Sequence, residues 1–163
     1  MRLGDVEGLD SIYKTDGSVI LRGNEKIKKE MYTKFGGVRF KKEGLRFLPG
    51  DGKYIFTNKR LILVRRPRTV KEIRRRLAGG GGQRGPATHC SYFYFIKREK
   101  AVRNKEDIKE FVDLPYTEIT ALKIGLLGTL IEVQDSKREY QVFVSRKIGK
   151  MFKELLKECG IYV

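Results

Sequence analysis

The sequence predicts a mainly-β α+β domain, about seven short antiparallel strands capped by one C-terminal amphipathic helix. Three observations predict it. Short alternating apolar stretches recur along the chain between Gly, Asn and Asp turn signals, which is the period of half-buried strands. A sustained helical period of apolar residues occurs only near the C-terminus. Finally, 163 residues of which 40% are hydrophobic suffice for one core but hardly for two. A small barrel or split sandwich of this kind needs the helix to plug its open end.

Residues 1–24 carry scattered glycines and acids with little periodicity. They are expected to be a lead-in with one short strand at Ser18–Leu21, and residues 25–163 to be the domain. Val38 and Phe40, then Leu45 and Phe47, alternate around Glu43-Gly44 and predict a strand pair. Asp51-Gly52 reads as a turn. Tyr54–Thr57 and Leu61–Val64, joined by Asn58-Lys59, form the clearest hairpin in the chain. The composition then changes abruptly. Thr69 to Glu72 fits a capping box that starts a short basic helix to about Leu77, and Gly79–Gly82 ends it. Residues 66–90 therefore read as an insertion in a sheet, either a solvated loop or a functional arm.

Beyond the insertion, Ser91–Lys97 is dense in aromatics and predicts a strand, and Asn104 is expected to cap a helical turn through Phe111. Pro115 breaks the chain before a strand that starts at Tyr116. Gly125 and Gly128 bracket a turn, Thr129–Val133 a strand, Asp135–Lys137 a second turn, and Tyr140, Val142 and Val144 a further strand. Ser145 caps the terminal helix. Ile148, Phe152, Leu155, Leu156 and Cys159 line its inner face, while Lys147, Lys150, Lys153 and Lys157 face water and Gly160 ends it.

Thirty-six Lys and Arg against 20 Asp and Glu leave a net charge of +16, so the expected partner is acidic. The excess is concentrated: residues 59–84 hold ten cations and one carboxylate. Lys59, Arg60, Arg65, Arg66, Arg68, Lys71, Arg74, Arg75 and Arg76 are expected to form one contiguous anion-binding surface, with guanidinium groups suited to bidentate phosphate contacts. Arg60 belongs either to that surface or to the strand packing of its hairpin. Catalysis is not expected, because His89 is the only histidine and no Ser or Asp partner is recognisable around it. Cys90 and Cys159 form neither a disulfide framework nor a metal pattern, so neither metal nor cofactor is expected. Gly80, Gly82 and Gly85 formally satisfy GxGxxG but lack the preceding strand and following helix, and read as a loop. Met1–Asp10 is too polar for a signal peptide, so the expected location is cytoplasmic with peripheral membrane association.

The segment GKYIFTNKRLILV resembles the central hairpin of pleckstrin-homology-like domains, specifically the GRAM and GLUE branches. Gly37-Val38-Arg39-Phe40 with Glu43-Gly44, the Leu114–Ile119 stretch and the position of the terminal helix are similar to the same family over about Gly23–Tyr162. The resemblance implies a PH-like split barrel of about seven strands that docks on acidic phospholipid membrane surfaces. It also implies recognition of ubiquitin or a similar protein, as in an ESCRT-like sorting adaptor. Met151, at the edge of the helix's apolar stripe, and Ile161 are the candidate protein-binding residues, and neither matches a family motif. The alternative is an electrostatic single-stranded nucleic-acid-binding protein, in which aromatics among Tyr92, Phe93, Tyr94 and Phe95 stack on bases.

Overall fold

One long strand, β2 (Ile27–Phe40), organises the sheet. The computed structural model describes residues 2–4, 6–14, 18–42, 44–47, 50–67 and 110–163. The capping box at Thr69, the basic helix, the glycine-rich loop, the Ser91–Lys97 strand and the Asn104 cap lie outside the described residues. Over Ile27–Phe35, β2 pairs with β4 (Gly50–Thr57), and over Phe35–Phe40 with β9 (Glu139–Val144). The handover falls where the register slips between Phe35 and Gly37. Gly37 has φ +106°, which a residue with a Cβ rarely adopts, and such a bulge bends the strand so that it serves two half-sheets.

The remaining strands are β1 (Arg2–Gly4), β3 (Gly44–Phe47), β5 (Arg60–Pro67), β6 (Glu110–Pro115), β7 (Ile119–Ile124) and β8 (Thr129–Gln134). All pairings are antiparallel. The order is β1-β6-β5-β4-β2-β9-β8-β7, with β3 hairpinned onto the end of β2. Seven strands, β6-β5-β4-β2-β9-β8-β7, form a continuous run, and the sheet is open, with β1 and β7 at its edges. The fold is thus mainly β with one helix, α1 (Arg146–Glu158), among the described residues.

Alternation along β5 divides the core. Leu61 and Leu63 join the cluster under α1, together with Phe35, Tyr54, Phe56, Val142, Phe152 and Leu156. Ile62 and Val64 point the other way and pack with Ile55 and Phe111. That second face is covered by Leu9, Ile12, Tyr13 and Val19, so the stretch expected to be a lead-in supplies core residues. Its expected strand at Ser18–Leu21 is a single bridge, Tyr13 to Val19. Three further expectations are corrected. Asp51-Gly52 lies inside β4, because pairing with β2 on one side and β5 on the other overrides a local turn signal. Phe111 lies in β6 rather than a helical turn, and Tyr116–Glu118 form a 3-10 turn rather than a strand start.

The C-terminal elements follow the sequence closely. Ser145 Oγ accepts the Ile148 N–H at 3.3 Å, satisfying one of the orphan donors of the helix start. Ile148, Phe152, Leu155 and Leu156 are buried, and Gly160, at φ +74°, ends the helix. α1 sits close on the sheet at Gly149, where a Cβ would come within 1.9 Å of Thr129 Oγ1.

Candidate functional site

Arg60 and Arg65, expected on the anion-binding surface, are interior residues at 4% and 1% exposure. The reason is local to the β4–β5 hairpin. Thr57 Oγ1 accepts the N–H groups of Lys59 and Arg60 at 3.1 and 2.9 Å, which tightens the turn and swings the Arg60 side chain inward. There Arg60 Nε donates to Glu25 Oε1 at 2.7 Å, Nη1 to Asp113 Oδ2 at 3.1 Å and Nη2 to the Ile20 carbonyl at 2.8 Å. Thr57 Oγ1 also donates to Glu25 Oε1, and Tyr116 Oη to the Thr57 carbonyl. Burial alone would raise the Glu25 pKa, but hydrogen bonds from Arg60, Thr57 and the Arg22 N–H outweigh it and hold it below the ordinary value. The Thr-x-x-Arg signature of this hairpin is therefore a structural knot joining the N-terminal segment, β5 and β6.

Arg65 is committed as well. Its Nη2 lies 2.6 Å from Glu110 Oε2, and its guanidinium carbon sits 4.8 Å from the centroid of the Phe35 ring. Burial pushes its pKa down to about 10, with the Glu110 charge opposing. Of the other residues assigned to that surface, Lys59 is exposed in the β4–β5 turn, and Arg66 lies in β5 opposite Asp51. Arg68, Lys71, Arg74, Arg75 and Arg76 lie outside the described residues, as do Tyr92, Phe93, Tyr94 and Phe95. Met151 and Ile161, expected to bind a protein, are half-buried and pack against the core under α1.

Besides the exposed Lys26, Lys28 and Lys29 at the start of β2, two further cationic regions lie among the described residues. The first is a cleft of about 420 Å³ between the turns at Lys41-Lys42 and Asp135–Arg138. Two of its cations are engaged internally, Lys41 Nζ pairing with Glu139 at 2.7 Å and Arg138 lying 5.0 Å from the centroid of Phe40, and Asp135 accepts the backbone N–H groups of Lys137 and Arg138. The Lys41 hydrogen bond and charge hold the Glu139 pKa below its usual value.

The second is the solvent face of α1. Its thirteen residues, RKIGKMFKELLKE, carry five cations and two carboxylates. Both carboxylates lie in the C-terminal half, where Glu154 pairs with Lys157. Arg146, Lys147, Lys150 and Lys153 are exposed, and no ion pair among the described residues engages them. No acid occupies the first turn. That arrangement opposes the helix macrodipole, which favours anions at an N-terminus by about 0.3–1 kcal/mol per charge. By sequence alone, Lys147, Lys150, Lys153 and Lys157 are only a water-facing stripe. The signal that marks them is the missing first-turn acid, overshadowed by the denser cations of residues 59–84.

Among the described residues there is no group of three or more His, Cys, Asp and Glu side chains placed to hold a metal ion, and no helix long and apolar enough to cross a membrane. No family model matches the chain, and no curated protein matches it at a significant level.

Proposed function

We propose that this chain is a non-enzymatic module of PH-like, GRAM/GLUE-type build that docks on acidic phospholipid surfaces. Seven consecutive antiparallel strands, β6-β5-β4-β2-β9-β8-β7, followed by a single helix support that build in strand number and element order. The observation that carries the docking role is the uncompensated positive start of α1. Of the four exposed cations, Arg146 and Lys147 lie in the first turn, where positive charge costs stability on electrostatic grounds, and Lys150 and Lys153 continue the same positive face, so a partner that supplies the missing negative charge accounts for them. A fluid anionic surface suits them better than a single phosphate, because lysines on one helix face act as point charges without bidentate geometry. Met151 and Ile161 are half-buried against the core, which leaves them little surface for a protein partner.

The test is vesicle sedimentation of the full chain against the K147A/K150A/K153A variant. Each cation near an anionic membrane contributes about 1 kcal/mol, so the triple variant is expected to bind about 100-fold more weakly while melting at or slightly above the parent temperature, since a first-turn cation is removed. Binding that is indifferent to the anionic lipid content of the vesicle overturns the proposal. Retention of single-stranded nucleic acid at physiological salt, with no vesicle binding, favours the alternative instead.

A further inference from the structure

We propose that the β7–β8 turn, Gly125-Leu126-Leu127-Gly128, is a wedge that inserts into the headgroup–acyl boundary of an anionic bilayer beside the cationic start of α1. This deepens the docking reading above and rests on it. Leu126 is 79% exposed and Leu127 50%. Two-stranded turns favour Gly, Asn, Asp and Ser, whose backbone freedom or short polar side chains the turn uses, whereas leucine contributes neither. The glycines at either end already close this turn, with Gly125 N–H donating to the Gly128 carbonyl at 2.8 Å. Two adjacent leucines displayed to water at its tip therefore add nothing to the fold.

Placement gives the occupant. Ile124 pairs with Thr129 at the base of the turn, and Thr129 pairs in turn with Val144, two residues before α1 begins. Gly149 is seated on Thr129, and the helix positions one turn to either side of Gly149 include Arg146 and Lys153. The leucine tip and the unpaired cations thus share one end of the molecule. Lys123, also near the tip, is already paired with Glu132 at 3.0 Å and is not counted. An apolar tip ringed by cations matches an anionic bilayer, with leucines below the headgroups and the long cationic side chains at their level. A second copy of this chain is disfavoured by its own +16 charge, and two side chains fall far short of the roughly 800 Å² per partner of a stable protein interface. Nucleic acid offers the leucines nothing.

The chain contains no tryptophan, so L126W is a single-site fluorescent reporter. With vesicles of phosphatidylserine in phosphatidylcholine, its emission is expected to shift to the blue and to be quenched by lipids brominated on the acyl chain. S136W, in the turn at the opposite end of β8, is expected to stay water-like. Replacing both leucines by serine is expected to weaken binding by roughly tenfold per leucine, and the remaining binding to become more salt-sensitive. Sedimentation of L126W with vesicles without a blue shift overturns the wedge and leaves the docking reading standing. Absence of sedimentation for the parent chain overturns both. A blue shift that grows with protein concentration without lipid overturns the wedge in favour of self-association.

Discussion

Replacing Arg60 by alanine separates a structural from a surface role for the most conspicuous cation of the central hairpin. Arg60 is 4% exposed and bridges Glu25 and Asp113, themselves 5% and 3% exposed. Removing it takes the guanidinium from two buried carboxylates and leaves Asp113 only the more distant Arg22, at 3.9 Å, a change of the kind that costs about 3–5 kcal/mol. For a chain of this size each kcal/mol moves the melting temperature by about 2–4 °C, so R60A is expected to melt roughly 6–20 °C below the parent. Against a total stability of about 5–15 kcal/mol, that is a large fraction. The assay is thermal unfolding followed by far-UV circular dichroism, with vesicle binding measured at a temperature where both proteins are folded. K59A, next in sequence and exposed, is the control and is expected to change stability by less than about 0.5 kcal/mol. The triple variant R60M/E25Q/D113N is expected to recover part of the loss, because the stranded charges go with their partner. An R60A protein that melts with the parent but loses vesicle affinity refutes the reasoning and returns Arg60 to the surface.

Three further outcomes are expected. Glu25 titrates below its ordinary value in the folded chain, so the folded state binds fewer protons, and its contribution is complete above pH 4.5 and lost as pH falls through the folded value. E25Q is therefore expected to lower the melting temperature at neutral pH and flatten its fall in acid, and equal acid slopes for the two proteins would count against the network. G149A decides between two opposing terms: alanine is the better helix former by about 0.8–1.0 kcal/mol, but its Cβ would overlap Thr129, at a cost of about 1–3 kcal/mol. Net destabilisation in urea titration is expected, and a gain would mean that α1 sits farther from β8. S145A removes the helix cap and is expected to cost about 0.5–2 kcal/mol, read from the same titration.

The elements that the sequence makes legible are those whose pairing is local. The β4–β5 hairpin, the β7–β8 and β8–β9 turns and the capped helix join neighbouring segments, so turn residues and period suffice to place them. What depends on distant partners is not legible. The strand pairing of Asp51-Gly52 is decided by β2 and β5 together, and nothing near Leu9 or Ile12 reveals that a second face of the sheet, formed more than forty residues later, needs covering. The site divides the same way. The spacing of Thr57 and Arg60 marks an unusual hairpin, but whether the guanidinium turns out or in depends on Glu25 and Asp113, 35 and 53 residues away. Leu126 and Leu127 pass unnoticed in the sequence because two leucines near strands read as core until the strands end beneath them.

The fate of the cations follows from their hydration. A guanidinium is weakly hydrated and planar, so it can be buried where carboxylates and an aromatic ring meet it from fixed directions. An ammonium is compact and strongly hydrated and stays in water unless a partner replaces that shell. Among the described residues the two buried cations, Arg60 and Arg65, are both arginines, held by Glu25, Asp113, Glu110 and Phe35. The exposed cations of α1 are four lysines and one arginine. Cation density along the sequence therefore mixes two populations, one spent on the fold and one left for a partner. Within the described residues, the lysines of α1 give the better measure of the charge available to an anionic surface.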